Sequence, residues 1–247
     1  MIATLRVAAA CIESQPADTA HNLAKIREAC GLARKEGARL LLFPELSLTG
    51  FIPNHPKGDH AAWLREALAD AWRMAEPLDG PAVSGLLAVA RELGLYLAAG
   101  LIENSGNVLY NTTVMAGPEG LLGTWRKLHV PMFEMPFYNG GPPPNVAATP
   151  IGRVGANICF DALLPESTRL LAVQQVEIVP FPFAADPPPG TAAAWAEWAA
   201  PAVRALPRER GFWRRLQLLG SRALRGRETV LSRRCPDRRP EGRDPCR

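Results

Sequence analysis

Arg39-Leu40-Leu41-Leu42-Phe43-Pro44-Glu45 is the stretch from which the fold is read. Four apolar residues stand between an arginine and a proline. The run is too short for a helix and lacks the polar alternation of a half-exposed strand. A strand buried on both faces carries such a run, and such strands lie in sheets covered by helices. Pro44 cannot donate to a ladder, so it ends the strand and leaves Glu45 at its carboxyl end. On the amino side, residues 18–37 predict an amphipathic helix with Leu23, Ile26, Cys30 and Ala33 on one face and Gly37 as a stop, preceded by a strand over 5–12. On the carboxyl side, helices are expected at 61–75 and 81–93 and a strand at 95–101. A strand pair at 108–116 and 121–127 turns at Gly117-Pro118-Glu119-Gly120. A Pro/Gly-rich loop fills 128–150. Then come a strand at 153–158, a helix at 165–173 opened by Pro165, a strand at 176–181 and a Pro-rich linker at 186–190.

Strands alternating with helices predict an α/β sheet with helices on its outer face. Reactive groups in such folds collect beyond the carboxyl ends of strands. Three such ends carry a carboxylate, an ammonium and a thiol: Glu45, Lys127 and Cys159. Glu45 is followed by Leu46, Leu48 and Phe51, an apolar setting that suits a carboxylate for proton shuttling near neutrality. Lys127 is placed to stabilise a developing oxyanion and to lower the pKa of the Cys159 thiol, helped by the helix that starts near Pro165. Glu134, seven residues on, is placed to pair with Lys127 or orient it. Taken singly, each has a plainer reading: a core thiol, a loop glutamate, a solvated lysine. The loop side chains Met132, Phe133, Met135, Phe137 and Tyr138 either shape a substrate pocket or simply pack the loop.

The 247 residues suit one domain or at most two, and 47 % of them are hydrophobic, enough for a sizeable core. No run of 18 apolar residues predicts a membrane span, and the opening apolar stretch is broken at Glu13, too early for a secretory signal. Five cysteines, at 11, 30, 159, 235 and 246, form no CxxC pair, which suits reduced thiols and a cytoplasmic setting. Histidines 21, 55, 60 and 129 have no metal-ligand spacing, and neither a metal nor a cofactor is expected.

Three ordered segments resemble signatures of the nitrilase (carbon–nitrogen hydrolase) superfamily. The first is Phe43-Pro44-Glu45-Leu46-Ser47-Leu48-Thr49-Gly50-Phe51. The second is Tyr110-Asn111-Thr112 with Gly123-Thr124-Trp125-Arg126-Lys127-Leu128-His129, Glu134 and Gly140. The third is Gly155-Ala156-Asn157-Ile158-Cys159-Phe160-Asp161 with Pro165-Glu166 and Arg169-Leu170. The resemblance implies a four-layer αββα sandwich and a Glu-Lys-Cys triad. Cys159 would be the nucleophile and Glu45 the general base and then acid. Lys127 and the backbone N–H of Phe160 would hold the oxyanion, and Glu134 would support the geometry. The implied reaction cleaves a non-peptide C–N bond through a Cys thioester and releases ammonia or amine. Cys159-Phe160-Asp161 looks more like the amidase and carbamoylase branches than the true nitrilases, so a small amide or N-carbamoyl compound is the expected substrate and a nitrile the alternative. A homo-oligomer is implied if the fold is complete.

The resemblance covers residues 4–205, and the hydrolase domain is expected over 1–205. Residues 201–247 hold 14 Arg, no Lys and 5 acidic residues, a net +9 against −5 for the rest. This tail, 206–247, reads as disordered and without strands. It would be an arm for nucleic acid or an acidic surface, an idle extension, or the product of a frame change, and the arginine surge favours the last. No nucleic-acid partner is expected. A frame change would leave the sandwich without its last strands and raises the alternative of a catalytically inactive, truncated family member.

Overall fold

A computed structural model describes residues 5–52, 59–184 and 217–220. The first sheet has five strands in the order β1 (Val7–Ala9), β2 (Leu40–Leu42), β3 (Tyr96–Asn104), β4 (Leu109–Gly117), β5 (Gly120–Arg126). β1, β2 and β3 are parallel, and β3, β4 and β5 form an antiparallel meander, with Gly117 opposite Gly120 at the expected turn. The second sheet runs β6 (Ala147–Thr149), β7 (Gly152–Val154), β8 (Ile178–Phe181), β9 (Gln217–Gly220).

The apolar run of β2 faces two ways. Leu41 packs outward with α1 (Thr19–Lys35) and α3 (Pro81–Leu93), through Ile26, Cys30, Val83 and Leu86. Leu40 and Leu42 pack inward with Tyr96, Ala98, Met115 and Trp125 against Val154, Ala156 and Ile178 of the second sheet. On that sheet's far side, α4 (Pro165–Val173) adds Leu171 to Val176, Val179 and Phe181. The layers are therefore helix, sheet, sheet, helix, as the resemblance implied. α2 (His60–Met74) packs across the strand ends against Leu46, Ile102, Phe137 and Tyr138.

Local chemistry sets the boundaries. Asp18 caps α1 by accepting from the His21 N–H, and Asp59 caps α2 in the same way from Ala61 and Ala62. Pro81 opens α3, and Gly94 closes it at φ 66°. The strand expected over 153–158 ends at Val154. Gly155, Asn157 and Cys159 still donate their N–H groups to the carbonyls of Ile178, Pro180 and Pro182. The bonds returning in a parallel ladder would come from residues 180 and 182, and both are prolines. The ladder is one-sided, so the backbone is free to turn at Cys159.

Two expectations need correction. The loop 128–150 contains β6 at its end. The tail expected to hold no strand supplies β9, which lies parallel to β8 from Ile178↔Gln217 to Phe181↔Gly220. The rest of 206–247, and the linker at 186–190, lie outside the described residues. Among the described residues no helix is long and apolar enough to cross a membrane.

Candidate active site

Glu45, Lys127 and Cys159 meet at one end of the space between the sheets, as their strand-end positions predicted. Lys127 Nζ lies 3.0 Å from Glu45 Oε1 and 2.7 Å from Glu134 Oε2, and its side chain is fully buried. Glu134 reaches the site because residues 131–138 wrap into tight turns, with Glu134 N–H donating to Pro131 O and Tyr138 N–H to Glu134 O. The glycines at 140 and 141 let the loop close on the strand end. A Cβ at Gly141 would sit 2.9 Å from Arg126 O, and one at Gly140 would sit 2.8 Å from Leu128 O.

Glu45 is held from several directions. Its Oε1 also accepts from Asn111 Nδ2 at 2.7 Å, and its Oε2 from the Ala184 N–H at 2.8 Å. Its own N–H donates to Phe183 O, while Cys159 N–H donates to Pro182 O at 2.9 Å. The segment leaving β8 thus binds the Glu45 carboxylate on one side and the Cys159 backbone on the other. Both turns carry strain: Leu46 sits at φ 54° and Cys159 at φ 46°, a region costing about 1–3 kcal/mol for a side-chain-bearing residue. Such outliers persist only where surrounding bonds hold them.

Asp161 supplies some of those bonds. Its Oδ2 accepts from Ile158 N–H at 3.0 Å and Leu128 N–H at 3.3 Å, and its Oδ1 accepts from His129 N–H at 2.8 Å. One carboxylate therefore ties the cysteine turn to the two residues after Lys127. Asn157 Nδ2 bonds Thr168 Oγ1, which fixes the same turn on α4.

The electrostatics correct one expectation. The thiol of Cys159 was expected to be acidified by Lys127 and a helix dipole. Instead, burial and the charges of Glu45 and Glu134 push the thiol well above its ordinary range, and Lys127 only partly offsets this. Cys159 is therefore a neutral thiol beside a base. Lys127 stays charged. Burial alone would favour the free amine, but the carboxylates of Glu45 and Glu134 outweigh it. Burial and the two carboxylates push the Tyr138 phenol upward, so it remains protonated.

The sequence reading named Asn111 only as part of the second motif and Tyr138 only as a pocket or packing side chain, and gave the backbone of Ala184 no role. The loop side chains divide: Phe137 and Tyr138 are buried against α2, whereas Met132, Phe133 and Met135 face outward, so those three do not line the interior. Among the described residues no cluster of His, Cys, Asp and Glu could hold a metal ion.

The chain is similar to known proteins in both sequence and fold. It is 34 % identical to a nitrilase of Pyrococcus abyssi over 65 % of this chain and 58 % of that protein. It is 31 % identical to an (R)-stereoselective amidase of a Pseudomonas species over 66 % and 54 %. The chain thus spans between half and three fifths of the length of these relatives. An amidase from Nesterenkonia sp. AN1 shares its fold, with a TM-score of 0.65 over 88 % of this chain and 78 % of that one, at 23 % identity. The sequence model of the carbon-nitrogen hydrolases matches residues 6–206, a span that takes in both sheets up to β8 and every residue of the site just described, and the chain belongs to that family.

Proposed function

We propose that this chain hydrolyses the C–N bond of a small amide or N-carbamoyl compound, with Cys159 as nucleophile, Glu45 as proton carrier and Lys127 as oxyanion partner. One observation carries the reading. A neutral thiol on a strained turn donates to the Ala184 carbonyl, the Ala184 N–H donates to a buried carboxylate beside it, and that carboxylate shares one oxygen with a buried ammonium. This is what a nucleophile activated only at the moment of attack requires.

The steps balance. Cys159 sulfur bonds to the carbonyl carbon while its proton passes to Glu45. Lys127 Nζ and the backbone N–H of Phe160 hold the tetrahedral oxyanion. Collapse breaks the C–N bond, and Glu45 returns its proton to the departing nitrogen. Water then attacks the thioester and gives a proton to Glu45. The C–S bond breaks, the acid leaves, and the proton returns to sulfur. Glu134 and Asp161 keep the lysine and the cysteine turn in place throughout. The Phe160-Asp161 pair after Cys159 supports an amide over a nitrile, while the similar sequences include nitrilases as well as an amidase.

The test is an ammonia-release screen over aliphatic amides, N-carbamoyl compounds and nitriles. Turnover of an amide or carbamoyl compound, abolished in Cys159→Ala, is the expected result. Faster turnover of nitriles would reverse the substrate class, and turnover surviving in Cys159→Ala would remove the nucleophile. Iodoacetamide adds a test that needs no substrate. An ordinary thiol loses reactivity about tenfold per pH unit below about 8.5. Because Glu45 takes its proton, Cys159 should alkylate at about pH 6 faster than Cys11 or Cys30. Equal rates, with no ammonia from any substrate, would mean an inactive scaffold.

A further inference from the structure

Asn111 lies on β4 with its side chain buried, and Nδ2 donates to Glu45 Oε1 at 2.7 Å. The same oxygen takes a bond from Lys127. The backbone carbonyl of Asn111 accepts the Lys127 N–H at 2.8 Å. One residue thus bonds both the Glu45 carboxylate and the backbone of Lys127. Its amide has one tenable orientation, because a reversed amide would set Oδ1 against a carboxylate oxygen. That orientation leaves Oδ1 buried without a partner. Native structures rarely strand a buried acceptor, and where they do the group is held there by something else. Here it is held by the bond to Glu45.

We propose that Asn111 is a positioning residue that donates to the Glu45 carboxylate and fixes its rotation, so that Oε1 stays with Lys127 and Oε2 stays with the Ala184 N–H. The proposal rests on the reading of Glu45 as the group that takes the thiol proton. Without the amide donor the carboxylate is still drawn to Lys127 but is free to turn, and its charged form is less well solvated. Glu45 and Cys159 share one proton between them in the reactive state, so the acid limb of thiol reactivity marks the arrival of a second proton on the pair. Losing a donor to the charged form moves that limb to higher pH.

The experiment follows the iodoacetamide alkylation rate of Cys159 in the full chain by peptide mass spectrometry across about pH 4 to 9, in the native protein, Asn111→Ala and Asn111→Asp. Thermal unfolding checks that each variant is folded, and ammonia release is measured in parallel. In Asn111→Ala the acid midpoint should rise by about one pH unit, and the loss of turnover near neutrality should be about tenfold or more. Asn111→Asp keeps the size but adds a like charge, and its midpoint should rise at least as far. If Asn111→Asp fails to fold, Asn111→Ala decides. A folded variant whose rates fall at every pH with an unmoved midpoint would overturn the proposal, because that is what simple loosening does. A native protein with no acid limb would overturn it as well. A moved midpoint in a chain that releases no ammonia from any amide would leave the role of Asn111 standing and remove the hydrolase reading. Turnover with an unmoved midpoint would do the reverse.

Discussion

A lysine buried between Glu45 and Glu134 owes its charge to its neighbours, and the thiol of Cys159 owes its proton to the same neighbours. A second cysteine gives a contrasting case. Cys30 is enclosed by α1, α3 and the first sheet, and burial pushes its thiol up to about 12 from an ordinary value near 9. The unfolded chain therefore gives up this proton first. The stability tied to Cys30 is fully present below about pH 9 and is lost as pH rises from there towards 12. Urea midpoints should fall more steeply between about pH 8 and 10 in the native protein than in Cys30→Ala, even though that variant starts less stable for want of a buried side chain. Equal slopes would mean that the thiol does not control alkaline unfolding. The sequence pointed to each of these residues but not to its ionisation. Cys159 looked acidic because Lys127 was the visible charge. Glu45 and Glu134, distant along the chain, outweigh it once folding brings them in.

Elements place these residues through close approaches that no periodicity reveals. Gly100 sits in the middle of β3 under the turn that carries Glu45. It accepts the Leu48 N–H on its carbonyl, and a Cβ there would lie 2.5 Å from the Leu46 nitrogen. Gly100→Ala must push that turn off the strand. Turnover should fall by about tenfold or more, because a displacement of about 1 Å in a catalytic group costs that much, with thermal unfolding showing a stability loss of about 1–3 kcal/mol. A fully active Gly100→Ala would show that the turn yields without disturbing Glu45. The helices were readable from caps and stops, α3 and α4 to the residue, because Pro81, Gly94 and Pro165 act locally. The strands were less so. β7 is three residues long because two prolines on its neighbour withhold the return bonds, and that pairing is a tertiary fact.

One helix-covered sheet was legible because β2 is apolar on both faces, whereas the second sheet was implied only by the family resemblance of the three motifs. The tail was misread where it matters to the sheet: surrounded by arginine, Gln217-Leu218-Leu219-Gly220 has too few apolar residues to announce a strand, yet it lines the outer edge of β8. A chain lacking residues 207–247 should therefore unfold at lower temperature and aggregate more readily than one lacking only 221–247, since β8 would present bare N–H and C=O groups. Equal melting temperatures would mean that β9 adds nothing to the sheet. The bond from Ala184 N–H to Glu45 spans 139 residues of sequence, and the cysteine turn hangs from the same segment after β8. During refolding, the first sheet can bring Glu45, Asn111 and Lys127 together before the second sheet forms, but the thiol joins them only when the second sheet docks. Chemistry then becomes a clock: rapid labelling of Cys159 times the closing of the two sheets, an event that helix content alone would miss.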